Sequence, residues 1–470
     1  MTSYAIPAGA IEHYGEACEQ FERLLGRLAG EQAQRASHGE VEAMVQAEGN
    51  ELLRRLLQGH LDQRRREEPM RERVIGADGM ARTHRREGCR RCLETRFGGV
   101  IVTRRGYGGR ALESVFPLDA ELNLPSDKYS HGLREVLVEE IVGGSFDEAV
   151  EHLQRAGGGR MAKRQAEALA VSLSQEFDAF YAQPLAAPPP NAEPGTLLVL
   201  SADGKGIVMH PKGLREATRR ALEREEHKQH TRLSPGEKKN RKRMATVVSV
   251  YQVAPYPRTP EQILDPHQPP EGKRPRPDNK RTWARVEADQ GAVIEQAFAE
   301  AVRRDPQQNM RWVVLTDGQE DLLRQVDAAA KRYKVDVVVV QDFVHVLEYL
   351  WKAAYALHPA HAEEREAWVM DRATAVLHGR AHDVAVGLRR AATRKQLSQS
   401  ERKAVDKAAD YLANNRERLR YDSALAHGLP IATGVIEGAC RHLVKDRMDI
   451  TGARWGLDCA EAILKLRSLK

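Results

Sequence analysis

Two apolar runs, TLLVLSADG over 196–204 and RWVVLTDG over 311–318, each end in a small residue followed by Asp-Gly. Continuous runs of this kind suit strands buried on both faces. Such strands need helices around them, so this part of the chain is expected to be an α/β domain built on one mixed sheet. MATVVSVYQV over 244–253 and VDVVVVQD over 335–342 supply further strands. A helix is expected from about Thr282 to Arg304, and another in QEDLLRQVDAAAKRY over 319–333. Carboxylates near the carboxyl ends of neighbouring strands can converge on one point, and Asp203 and Asp317 occupy such places.

A chain of 470 residues is expected to hold several domains. The segment 184–195, PLAAPPPNAEPG, is Pro-rich and reads as a linker. Before it, residues 1–70 read as helical, with Leu52, Leu53, Leu56, Leu57 and Leu61 at helical spacing. That stripe suits a core or a partner helix, oligomerisation included. Residues 71–183 hold an alternating stretch from Thr95, read as a small basic β-hairpin turning at Gly98-Gly99. Three helices follow with Gly-containing turns, the second opened by Ser145 and Glu148 as a capping box. They suit a helix-turn-helix bundle whose third helix brings Lys163 and Arg164 to a major groove, or a plain helical bundle. Beyond the linker, 196–342 is the first part of the α/β core, 343–428 a helical insertion, and 429–470 a last helical part closing the core.

Charge is informative only locally. The formal net charge is +6, yet Lys212 to Arg243 carries twelve Lys or Arg against five Glu. Arg82 to Arg110 carries nine Arg against two Glu. Such stretches suit a phosphate backbone or a solvated loop. Five cysteines in so long a chain do not form a disulfide framework. With no apolar run of membrane-spanning length and no basic-then-apolar leader, the expected location is the cytoplasm, with no membrane partner.

A two-metal site needs a third acid, and Glu437 in ATGVIEGACRHLVKDRM is the candidate. Asp446 and Asp449 are its rivals, although a 3.6-residue period puts Asp446 on the opposite helix face. Mg2+ or Mn2+ takes hard carboxylate oxygens, and two such ions serve phosphodiester cleavage. Asp203 is assigned as the bridge, with Asp317 on one ion and Glu437 on the other. Lys205 either meets a phosphate or merely flanks its strand. Arg441 and Lys445, at i+4 and i+8 from Glu437, either clamp DNA or form a solvated face. Trp455 either stacks on a displaced base or packs beside its glycine turn. Asp342 and His345 form an Asp-x-x-His pair, which also suits a helix N-cap with an ordinary histidine. Cys89 and Cys92 make a lone pair with no second pair to complete a zinc site. Cys440 and His442 are discounted as ligands.

The segments ADGKG (202–206), VVLTDGQ (313–319), QDFVHVLEYLW (341–351) and ATGVIEGACRHLVKDRMDITGARW (432–455) resemble the ISKra-type family of bacterial insertion-sequence transposases. YSHGLR at 129–134 and GRMAKRQAE at 159–167 are similar to that family too, so the resemblance covers roughly 80 to 470. It implies a ribonuclease-H-like catalytic domain interrupted by an all-helical insertion, preceded by a mainly helical DNA-binding region. It implies Asp203, Asp317 and Glu437 as the acidic triad, with His345 near the scissile phosphate. The implied partners are double-stranded DNA, both the element's terminal inverted repeats and the target, and a second copy of the chain in a homodimer or larger assembly. A nuclease or resolvase without strand transfer, and an inactive DNA-binding relative, are the alternatives.

Overall fold

The computed structural model describes residues 11–183, 195–224, 241–265, 267–268, 270, 272–358, 362–450 and 452–469. Most of the Pro-rich stretch, and 225–240 of the basic stretch, lie outside them. The chain divides into two compact units, Met1–Ser172 and Leu173–Lys470.

In the first unit, α1 (Gly15–Ala29) packs on the long α2 (His38–Glu67). Ser37 and Glu40 cap α2 reciprocally, satisfying donors that a helix start leaves unpaired. Two short strands, β1 (Val74–Ile75) and β2 (Ala81–Arg82), pair with each other. The basic hairpin is longer than expected: β3 (His84–Thr95), β4 (Gly98–Gly109) and β5 (Leu112–Val115) form an antiparallel sheet. Its tight turn is Arg96-Phe97, and Gly98, at φ 116°, begins the return strand. Leu57 and Leu61 of α2 pack on Leu93, Val100 and Val102 of that sheet, so part of the leucine stripe is core. Leu53 and Leu56 stay exposed. Helices α3 (His131–Ile141), α4 (Phe146–Gly157) and α5 (Lys163–Leu173) follow. Ser145 and Glu148 cap α4 as the sequence suggests, and Gly158 ends it in the left-handed conformation.

The second unit opens with α6 (Phe177–Ala182), whose Phe177 enters the core of the main sheet. That sheet has five strands: β6 (Leu197–Val208), β7 (Lys242–Val253), β8 (Asp278–Arg285), β9 (Arg311–Thr316) and β10 (Val337–Gln341). Their order is β10-β9-β6-β7-β8. β6, β7 and β8 pair antiparallel, while β9 lies parallel to both β6 and β10. Residues 278–285, part of which was expected to open a helix, pair with β7 instead, with Trp283 buried between sheet and helices. The helix begins only at α7 (Gln290–Arg304), where Asp289 accepts a hydrogen bond from the Ala292 N–H at 2.8 Å.

Alternation along the strands sorts side chains to two faces. Leu198, Leu200, Val248, Val250 and Val314 meet α7 and α8 (Glu320–Tyr333) on one side. Leu197, Val199, Val313 and Leu315 meet α9 (Phe343–Leu357) and the helical insertion on the other. The insertion comprises α10 (Ala362–Leu377), α11 (Ala381–Arg394), α12 (Gln399–Asn414) and a short helix Tyr421–Ala426. The chain ends with α13 (Gly434–Ala439), a π-helical turn Cys440–Lys445, and α14 (Leu457–Arg467). No helix among the described residues is long and apolar enough to cross a membrane.

Candidate active site

Ser201 of β6 stands opposite Leu315 of β9 at the last pair of their parallel ladder. Asp203 and Asp317 each lie two residues further on. Both carboxylates therefore start from matching positions on one face of the sheet, the face covered by α9. Asp317 follows the end of β9, as expected. Asp203 does not end its strand, because β6 runs on to Val208 with Asp203 opposite Val247 of β7. Only the β9 side is released there, so the acid flanks an open edge inside a continuous strand. Gly318, at φ 92°, turns the other chain away. A Cβ at Gly318 would stand 2.5 Å from Gln341 Nε2, so no larger residue fits without a shift. One oxygen of each acid is held locally: Asp203 Oδ1 accepts from the Gly204 N–H at 2.6 Å, and Asp317 Oδ1 from the Gln319 N–H at 3.1 Å.

The other oxygen of Asp203 finds an unexpected partner. The Cys440 thiol donates to Asp203 Oδ2 at 3.2 Å. Burial, then the neighbouring Asp203 charge, pushes this thiol well above its ordinary pKa, so it stays protonated as a donor. Cys440 lies three residues past Glu437, one helical turn on. The contact thus places the Glu437 helix over the Asp203 edge. Glu437 itself is exposed, 3.5 Å from Thr433 Oγ1. Discounting Cys440 as a metal ligand leaves this role untouched. Its spacing from Glu437 was the available signal.

The π-helical turn also changes the expected faces. It departs from the 3.6-residue period on which the i+8 relation of Lys445 to Glu437 rests. Arg441 lies 3.6 Å from Asp446, both side chains being well exposed. Trp455 is corrected from a base-stacking candidate to a packing residue. It is 6% exposed, its Nε1–H donates to Met448 O at 3.1 Å, and the Arg447 guanidinium covers its ring. Its backbone bonds Val208 and His210, closing the end of β6.

Asp342 ties these parts together. It is fully buried, and its Oδ1 accepts from the N–H groups of Val344 and Thr433, each at 3.2 Å. Its Oδ2 faces His345 Nδ1 at 3.1 Å. It therefore caps α9 and anchors the segment leading to Glu437. Burial pushes this carboxyl up, yet the hydrogen bonds from His345, Thr433 and Val344 outweigh it and leave it below the usual range. The hydrogen bond to Asp342 raises the His345 pKa, and the Asp342 and Asp317 charges add to it against burial. A folded His345 pKa above the unfolded one means that its contribution is complete below the unfolded pKa, while Asp342 stays ionised, and is lost as pH rises through the folded one. In metal-free buffer, the NMR titration midpoint of His345 is expected above the ordinary value of about 6.5. Asp342→Asn is expected to lower it, and an unchanged midpoint would contradict the pairing.

Lys205 is exposed two residues past Asp203, on the same strand face, and its charge reaches Cys440. In the first unit, Arg164 is exposed and Lys163 donates to Asp147 at 2.6 Å. Cys89 and Cys92 sit on β3 past its bulge, and none of the five cysteines is in a disulfide. A residue missed in the sequence is Tyr411 of the insertion. Its hydroxyl donates to Asp317 O at 3.2 Å, and its ring stacks on Tyr349. Among the described residues, no three His, Cys, Asp or Glu side chains are grouped to hold a metal ion. Neither a protein-family model nor a curated protein matches the chain.

Proposed function

We propose that the chain is a DNA transposase that cleaves at its element's terminal inverted repeats and joins the 3′-hydroxyl ends to target DNA. The observation that carries this is the matched register of Asp203 and Asp317, with the Glu437 helix fastened to Asp203 through Cys440. The donor chemistry suits hard divalent cations, since all three acids are carboxylates and the thiol beside Asp203 keeps its proton. Asp203, Asp317 and Glu437 would hold two Mg2+ or Mn2+ ions. Bound there, such ions supply charge stabilisation for the attacking and leaving oxygens of a phosphodiester. His345, held by Asp342 beside Asp317, offers its other ring nitrogen to a phosphate oxygen. Lys205 and Arg441 supply positive charge at the rim.

The strand order supports a ribonuclease-H-like core. A sheet of that kind has a long first strand between an antiparallel pair on one side and two parallel strands on the other, as β6 has. The all-helical segment between β10 and α13 takes the place of the inserted domain. Exposed Arg85, Arg86 and Arg90 on β3, and the exposed start of α5 with Lys163 and Arg164, are the proposed duplex-binding elements. Lys445 extends the basic rim beyond Arg441. Joining two ends calls for two copies of the chain, in the cytoplasm of a bacterium. The test is incubation of a duplex carrying the terminal repeat with target DNA, with and without Mg2+. Joined products support a transposase, cleavage alone supports a nuclease, and binding without either supports an inactive relative.

A further inference from the structure

A cavity of 480 Å³ opens on the same sheet face as Asp203, beside the start of α13. Its lining includes Tyr251, Tyr256, Arg258, Arg274, Arg276 and Val435. Three guanidinium groups share this wall, and no carboxylate is among the described residues that line it. Arg258 donates to the carbonyl oxygens of Tyr256 and Leu429, with its guanidinium 5.5 Å from the Tyr256 ring centroid. Burial, and then the Arg274 charge, lower its pKa, so the wall concentrates positive charge without a described anion to balance it. Such a wall calls for an anion from outside. The half-buried Tyr256 ring and Val435 add an apolar, aromatic surface beside it, with Tyr251 buried behind.

We infer that this cavity takes one unpaired nucleotide of the DNA strand, its phosphate on Arg274 and Arg276 and its base against Tyr256. Its volume lies in the range of sites for small ligands, which admits one nucleotide and excludes a duplex. Base stacking on aromatic rings with arginine on the backbone is the chemistry by which proteins hold single strands. The position is suitable for the proposed cleavage. Tyr251 lies four residues along β7 from Val247, the partner of Asp203. That is about 14 Å at strand rise, on the order of four nucleotides at duplex spacing. The inference takes the strand's identity from the proposed transposase, but the pocket's binding chemistry does not depend on cleavage by the acids.

The test is fluorescence anisotropy in EDTA, with no divalent metal, so that cleavage plays no part. The probes are a blunt duplex and the same duplex with a short single-stranded tail. The wild type is expected to bind the tailed probe at least tenfold more tightly. R274A/R276A is expected to erase that preference and leave blunt-duplex binding intact, while R274K/R276K keeps part of it. The slope of log affinity against log salt for the tailed probe should fall by about 0.7, for one phosphate contact on a single strand. Displacement of the tail by dAMP, with inorganic phosphate inert, would support the aromatic half of the site. Equal displacement by phosphate alone would overturn it. Equal binding of the two probes by wild type, or a preference that survives R274A/R276A, would overturn the inference. Both arginines are exposed, so folding is expected to survive their loss. An unchanged circular dichroism melt checks this.

Discussion

Asp203→Asn is expected to lower DNA cleavage by on the order of 10²–10³-fold, the loss seen when a group acting on transition-state charge is removed. Stability should change little. Asparagine keeps the shape and an oxygen for the Gly204 N–H, and the site lies at a half-open sheet edge. What it loses is the negative charge that any bridging role needs. Single-turnover cleavage, with a denaturant melt of the same preparation, separates the two effects. Retained cleavage in a folded Asp203→Asn protein would remove this acid from the site. A loss of cleavage accompanied by unfolding would make the residue structural instead.

The largest expected loss of stability lies elsewhere, at Glu461 on α14. It is 4% exposed and accepts from the Arg285 guanidinium, from the Val286 N–H at 2.8 Å and from the Glu287 N–H at 3.0 Å. The last helix is thereby pinned to the end of the edge strand β8. Glu461→Ala leaves a buried arginine with Asp178, which is half exposed, as its remaining acid and frees two backbone donors. Breaking a buried pair from one side costs about 3–5 kcal/mol. Urea unfolding should show the midpoint fall by the corresponding amount. By contrast, Lys465→Ala, which breaks the more exposed link to Asp178, should cost under about 1 kcal/mol. A loss below about 1 kcal/mol for Glu461→Ala would contradict the pinning.

The central strands were legible because burial on both faces writes them as unbroken apolar runs, as at Leu197–Leu200 and Trp312–Leu315. The helical insertion was legible because its charged, strand-free stretch permits little else. The edge strand β8 was not. Its pattern of Asn, Lys, Arg, Thr and Trp carries no apolar run, and a Pro-rich segment separates it from its partner β7. At the site, the two strand acids could be paired from their matching contexts. Cys440 and Tyr411 could not be placed, because their partners are 237 and 94 residues away. The π-helical turn escaped because a fixed 3.6-residue period cannot register an inserted residue. The two readings of Trp455, stacking or packing, could not be separated because nothing local shows that its backbone closes β6. Asp342 was legible as an N-cap, while its bond to Thr433 depends on the return of the chain after the insertion.

The central claim is that Asp203, Asp317 and Glu437 act as one site. Glu437 tests it most directly, because it is exposed, comes from the far end of the chain, and lies on the helix that meets Asp203 through Cys440. The measurement is cleavage of an end-labelled duplex carrying the terminal repeat, in Mg2+ or Mn2+, by wild type and by Glu437→Gln at matched DNA binding. The account predicts metal-dependent cutting by wild type and none above background by the variant. Equal cutting by both would contradict it and move the third acid to Asp446 or Asp449.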